Sequence, residues 1–232
     1  MKNNKITIVN AVLGAALVCS LMVKIVPAVT SFNTSAAAVS GSGGGHWHPA
    51  GQCRGYAVYR DGVPGNVNLY HHAGLMDENN LRCYKPIIHA GGSAYTVDWA
   101  YYDQNENNFL AGNNFIGVYC PKNCSMTDAQ KDSFVATARE LRGTPYVLTS
   151  QISYSAGNNT WVYPENVTAL RCDGLVEYVY EWYGFRVGGG DNTWDITRNS
   201  SSNRSAHNLW NITPKKQHES LLEYAGGYSL IQ

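Results

Sequence analysis

The chain has no charge of either sign to spare. Its 17 lysines and arginines balance 17 aspartates and glutamates, and charged residues are only 15% of 232. That balance removes electrostatic capture of nucleic acid or of an anionic membrane as the main mode of binding, and leaves shape and hydrogen bonds to do it. There is no phosphate-cradling glycine loop, dinucleotide fingerprint or nucleic-acid motif, since Gly188-Gly-Gly190 is followed by no helix signature. No internal repeat is visible. What the chain does have is 16 tyrosines, 6 tryptophans, 23 glycines and many asparagines, a composition compatible with an exported protein facing sugar or peptide polymers. The triplets Asn166-Val-Thr and Asn211-Ile-Thr arise by chance in such an asparagine-rich chain.

Lys2 and Lys5 precede the apolar stretch Ile6 to Val23, and small residues follow at Ala36 to Ala38. This pattern predicts a secretory signal peptide over residues 1–38, with an uncleaved anchor as the rival because the stretch approaches the roughly 18 residues that span a bilayer. Residues 39–50 are a Gly/Ser-rich linker, flexible by composition. Residues 51–232 are one domain's worth of chain, long enough for a real core. The expected location is extracytoplasmic, secreted or at the cell surface, with no stable membrane insertion after cleavage.

Cysteine is sparse beyond the signal: Cys53, Cys83, Cys120, Cys124 and Cys172. An odd number in an exported chain leaves one thiol unpaired. If Cys172 is that thiol, the other four allow three connectivities, of which Cys53 with Cys83 and Cys120 with Cys124 is the pairing expected here.

The first half reads as a meander of short strands: Tyr56 to Arg60, Leu69 to Met76, Lys85 to His89, Ala94 to Trp99 and Phe115 to Tyr119. Then the period changes. Thr127 and Gln130 form a capping-box signature, and Phe134, Val135, Ala138 and Leu141 recur at helical spacing until Gly143. A loop and a polar stretch, Ser150 to Thr168, lead to a second helix that opens at Cys172 and stops at Gly184. The stretch from Gly188 to Arg204 reads as a long surface loop, and Trp210, Leu221, Leu222 and Tyr224 as a last element packing back on the core.

A cysteine at a helix start is chemically primed, because first-turn amides and the helix dipole favour the thiolate that attacks carbonyl carbon. A thiolate nucleophile also needs an imidazole to exchange protons with it, and a third polar group to fix the imidazole's tautomer. His72 and His89 stand on adjacent strand-like runs and can supply both functions if the runs pair antiparallel. His71 points to the other face of the same run.

The blocks Leu141-Arg-Gly-Thr-Pro-Tyr146 and Arg171-Cys172-Asp173-Gly174-Leu175 resemble the Gly-X-Pro-Tyr loop and nucleophile helix of NlpC-like cell-wall cysteine peptidases. His72-Ala-Gly-Leu75 and Ile87-Ile88-His89-Ala90 are similar to that family's two histidine strands. Here the histidine strands precede the cysteine, as in the circularly permuted branch that includes lecithin retinol acyltransferase-like proteins. The resemblance spans roughly Tyr56 to Phe185 and implies an α+β, papain-like, circularly permuted fold with an antiparallel sheet packed against the nucleophile helix. It implies Cys172 as nucleophile, His72 as base and His89 as the third residue of the triad, with Tyr146 and Asp173 at the oxyanion or substrate wall. The usual Asp-Cys-Ser-Gly is here Arg171-Cys172-Asp173-Gly174, and Asp173 can also cap the first-turn amides.

The expectation is therefore an exported hydrolase, a cysteine peptidase or amidase without cofactor or metal, acting on peptidoglycan peptides or another amide. The alternatives are an acyltransferase or lipid amidase with the same triad, and a catalytically idle binding module. A zinc site from His72, His89 and Cys172 is chemically allowed, but leaves the Gly-Thr-Pro-Tyr and Cys-Asp-Gly blocks unexplained. His207 lies where the unpermuted order would put the base, in surroundings unlike the family's strand, and ranks below His72.

Overall fold

Alternation of side chains along the first strands builds two apolar layers, one on each side of a sheet. In the computed structural model, Ala57 and Tyr59 join a core with Ala73, Leu75, Ile88 and Ala90, whereas Tyr56 and Val58 join another with Met76, Ile87 and Phe109. The structure describes residues 53–62, 71–91, 95–123, 125–188, 194–208 and 211–227. The expected signal peptide, the linker, Trp210 and Cys124, and with it the expected pairing to Cys120, lie outside the described residues. No helix among the described residues is long and apolar enough to cross a membrane.

The strands are β1 (Ala57–Arg60), β2 (His72–Met76), β3 (Ile87–Ala90), β4 (Val97–Ala100), β5 (Phe115–Pro121), β6 (Ile152–Tyr154), β7 (Val167–Leu170) and β8 (Leu222–Gly226). The helices are α1 (Asp128–Glu140), α2 (Cys172–Trp182), α3 (Ser201–Ala206) and a short α4 (Pro214–Lys216) that runs into a wide turn at Gln217–Leu221. Six strands form one antiparallel sheet in the order β4-β3-β2-β1-β5-β8, and β6 pairs with β7 separately. Helix α2 packs across β2 and β3 with α1 beside it. The fold is α+β, with its antiparallel sheet against the helix that begins at Cys172.

Because β1, β2 and β3 are covered on both faces, every residue in them is buried. Helix α1 starts as its sequence requires: the Gln130 backbone N–H donates to Thr127 Oγ1, and the Thr127 N–H donates back to Gln130 Oε1. Two sequence expectations need correction. The polar stretch Ser150 to Thr168 holds the β6–β7 hairpin, and Gly188 to Arg204 is not simply a surface loop: Asp195, Ile196, Thr197 and Asn203 are buried, and α3 begins within it. Both segments fold by local polar bonds that composition hides. Asn203 Nδ2 donates to the carbonyls of Asp195 and Arg198, and Asp195 Oδ1 accepts from the Thr197 N–H. A third correction concerns Cys53 and Cys83, which are free thiols and not a disulfide. Cys83 lies 3.6 Å from Asn80 Oδ1 within its own turn, and burial pushes the Cys53 thiol up to about 11 although Lys131 opposes it.

Gly174 has a packing duty that its place in a helix does not advertise. A Cβ there would fall 1.9 Å from the Gln151 carbonyl oxygen and 2.7 Å from its carbon, both backbone atoms. The missing side chain lets α2 approach the start of the β6 hairpin, where Arg171 N–H donates to that same carbonyl at 2.9 Å. Gly174→Ala is expected to destabilise by about 3 kcal/mol or more, at the upper end of overpacking costs, despite alanine's better helix propensity. Urea denaturation checks this, with a lower midpoint as the expected reading.

Candidate functional site

Antiparallel pairing of β2 with β3, Leu75 opposite Ile88 and Met76 opposite Ile87, brings the two sequence-predicted histidines together. His72 Nε2 and His89 Nδ1 lie 2.7 Å apart, with the rings edge to face. Phe109, from the connection between β4 and β5, lies against both imidazoles at centroid distances of 5.6 and 5.8 Å. His72 is fully buried and its Nδ1 has no hydrogen-bond partner among the described residues. If that nitrogen is to accept a proton, His72 carries its hydrogen on Nε2 and donates it to His89 Nδ1.

Cys172 is the first residue of α2, preceded by Arg171 in extended conformation, and the backbone N–H groups of Asp173 and Ala73 act on its thiol to favour the charged form. Ala73 follows His72 directly, but consecutive strand residues face opposite sides: Ala73 shares a core with Cys172, Leu75 and Ile88, whereas His72 and His89 lie against Phe109 in the other layer. No thiol–imidazole hydrogen bond is formed. Burial, reinforced by Asp173, pushes the Cys172 thiol up to about 12, against the two N–H bonds and Arg171. From 9.0 to about 12 the charged form loses about 4 kcal/mol, whereas a helix dipole returns about 0.3–1. Burial therefore wins over the helix start. The thiolate expected from Cys172's position alone is a neutral thiol in this resting state, and only 1% of the residue is exposed.

The imidazoles are neutral for a related reason. Burial, then Arg60 and His89, hold His72 well below its ordinary value; burial and then Arg60 bring His89 down to about 4, with Asp98 opposing. Arg60 is the residue that sequence reasoning missed. It sits opposite His72 across the β1–β2 ladder, 2% exposed, with Nη1 donating to the Asp61 carbonyl at 3.0 Å and Nε unpartnered among the described residues. It is coupled electrostatically to both Cys172 and His72. An arginine ending an apolar strand run is the signal that was available.

Tyr146 reaches the same place from the loop after α1. A Cβ on Gly91, whose φ of +110° few other residues adopt, would lie 3.3 Å from the Tyr146 ring and 3.6 Å from His72 Cε1. The Tyr146 hydroxyl is raised by burial and by Cys172 and Asp173, which puts it in the electrical neighbourhood of the thiol.

Asp173, expected at the oxyanion or substrate wall, is fully buried in this structure, and Arg171 grips its carboxylate with Nε at 2.5 Å and Nη2 at 2.8 Å. Among the described residues no backbone N–H bonds to its carboxylate; the oxygens face the Arg171 fork instead. His207 is remote from this arrangement: its Nδ1 lies 2.7 Å from the Asn203 carbonyl and its Nε2 3.3 Å from Glu177 Oε1. His71, half-buried at φ 63°, pairs with His218. No family model, curated protein or solved structure matches the chain.

Proposed function

We propose that this chain is an exported thiol hydrolase of circularly permuted papain-like fold that cleaves amides, with cell-wall peptides as the substrate class. The observation that carries the reading is the buried His72–His89 bond, which orients one imidazole by the other and leaves His72 Nδ1 unpartnered among the described residues. The agreement of two sequence blocks with the NlpC-like pattern, and the N-terminal signal pattern, supply the substrate class by analogy.

This mechanism requires a rearrangement of the start of β2 on substrate binding that brings the thiol into hydrogen-bond reach of His72, since the two side chains rest in different layers. Catalytic hydrogen bonds are commonly loose before substrate arrives. The Sγ–H proton passes to His72 Nδ1 as the sulfur–carbon bond forms, and His72 Nε2–H holds on to His89. The Cys172 backbone N–H, which the start of a helix leaves without an intrahelical acceptor, and the Tyr146 hydroxyl serve the oxyanion. Collapse breaks the carbon–nitrogen bond, the amine leaves with the proton from His72, and water then hydrolyses the thioester with the same base.

The test is quenched-flow mass spectrometry of the mature chain with peptidoglycan stem peptides. The expected result is a peptide acyl group on Cys172 and cleaved product, both lost in Cys172→Ala. Turnover that survives in Cys172→Ala overturns the reading. The sealed thiol, pushed up to about 12, favours one rival, a peptide-binding module without turnover. That rival requires stoichiometric peptide binding in Cys172→Ala and no acyl-enzyme in the unsubstituted chain.

A further inference from the structure

The opposite end of α2 carries a polar cluster that this mechanism does not use. Glu177 and Glu181 lie one turn apart and are joined by His207, which follows α3; their exposures are 0%, 4% and 1%. One ligand atom from each lies within 4.8 Å of the other two. His207 Nδ1 is 2.7 Å from the Asn203 carbonyl, an acceptor only, so Nδ1 carries hydrogen and Nε2 of the neutral ring presents a lone pair. That lone pair faces Glu177 Oε1 at 3.3 Å. With the ring neutral, two acceptors confront each other in a buried interior, and neither His207 Nε2 nor Glu177 Oε1 makes a hydrogen bond among the described residues.

The surrounding bonds orient the carboxylates. Glu177 Oε2 accepts from Gln151 Nε2 at 2.7 Å and Gln217 Nε2 at 2.9 Å, which turns Oε1 toward His207. Glu181 accepts the Val187 and Ile196 N–H groups at 3.1 and 2.8 Å, one on each oxygen, and each oxygen keeps a second lone pair. Arg186 is 3.7 Å from Glu181 but 3.2 Å from Asp195, so its charge is shared. We propose that Glu177, Glu181 and His207 bind a divalent cation of the zinc class, one imidazole nitrogen and two carboxylate oxygens, with the fourth position left to water.

The ligand chemistry fits. Tetrahedral zinc with bonds of about 2.0–2.2 Å spaces its ligands about 3.3–3.6 Å apart, which the His207–Glu177 pair already satisfies and Glu181 approaches. The Nδ1–H to carbonyl bond is the support that metal-binding imidazoles commonly have. A dication neutralises both carboxylates, where a proton on His207 would neutralise one. Its role is structural: it clamps α2 to the segment running from Asp195 to His207. The proposal is independent of any catalytic role for Cys172.

The experiment uses the full mature chain, stripped with chelator and then titrated with Zn²⁺ against a chromogenic competitor. Cys172→Ala serves as background to exclude thiol ligation at the other site. The expected result is one Zn²⁺ per chain with a rise in melting temperature, and affinity about 100-fold weaker or worse in His207→Gln and in Glu181→Gln. Should either variant fold poorly, Co²⁺ loaded into the Cys172→Ala chain reports tetrahedral nitrogen and oxygen ligation by its visible absorption. Absence of stoichiometric binding overturns the proposal in favour of a protonated His207–Glu177 pair, and so does full affinity retained in both variants.

Discussion

His72→Ala is expected to lower kcat/KM for amide hydrolysis by about 10²–10⁴-fold, the range for loss of a positioned general base. His89→Ala should give a smaller loss, because the base survives and only its tautomer and orientation are released. The two losses should not add, since His89 is argued to act through His72. The pH profile separates this from simple damage to the fold. His72 is held below its ordinary 6.5 by burial, Arg60 and His89, so the base is expected to stay unprotonated, and activity to persist, below pH 6.5. With the thiol pushed up to about 12, the plateau between the limbs is expected to be broad. Arg60→Met removes a positive charge that disfavours protonation of His72; the acid limb must therefore move to higher pH. A limb that stays put in Arg60→Met, with both histidine variants fully active, would remove His72 from the chemistry.

Arg60 also illustrates which parts of this site the sequence could reveal. The histidines were legible because strand alternation and the spacing of two runs make His72 and His89 neighbours, and the 2.7 Å bond follows from that pairing. The helix beginning at Cys172 and its stop at Gly184 were legible from periodicity and a glycine with φ of +81°. Burial was not. The helix start at Cys172 suggests a primed thiolate, but sequence does not say how completely β2 and its neighbours close over the sulfur, and closure dominates its protonation. The β6–β7 hairpin and α3 were hidden for another reason: serine, asparagine and threonine bond to nearby backbone in many arrangements, so their abundance does not distinguish a loop from an ordered polar layer. The same holds for Glu177, which reads as one charge on a helix and is in fact completely enclosed.

Asp173 is where the structure adds most to the sequence. Asp173→Ala is expected to cost about 3–5 kcal/mol, because it leaves the Arg171 guanidinium, 3% exposed, without its counter-charge in a low-dielectric interior. Arg171 Nη2 also donates to the Ile212 carbonyl at 2.6 Å, and Gln217 Nε2 to the Asp173 carbonyl at 3.0 Å. The pair thus fastens the first turn of α2 to the segment before β8, and its loss should loosen the helix start that carries Cys172. Urea denaturation followed by circular dichroism measures the cost. Replacing both partners together, Arg171→Met with Asp173→Leu, should recover most of it, since two apolar side chains of similar volume leave no buried charge unpaired. A different result would restore the role suggested by the motif alone. If Asp173→Ala leaves the denaturation midpoint unchanged and raises KM at constant kcat, Asp173 touches substrate, and the fork with Arg171 opens when substrate binds.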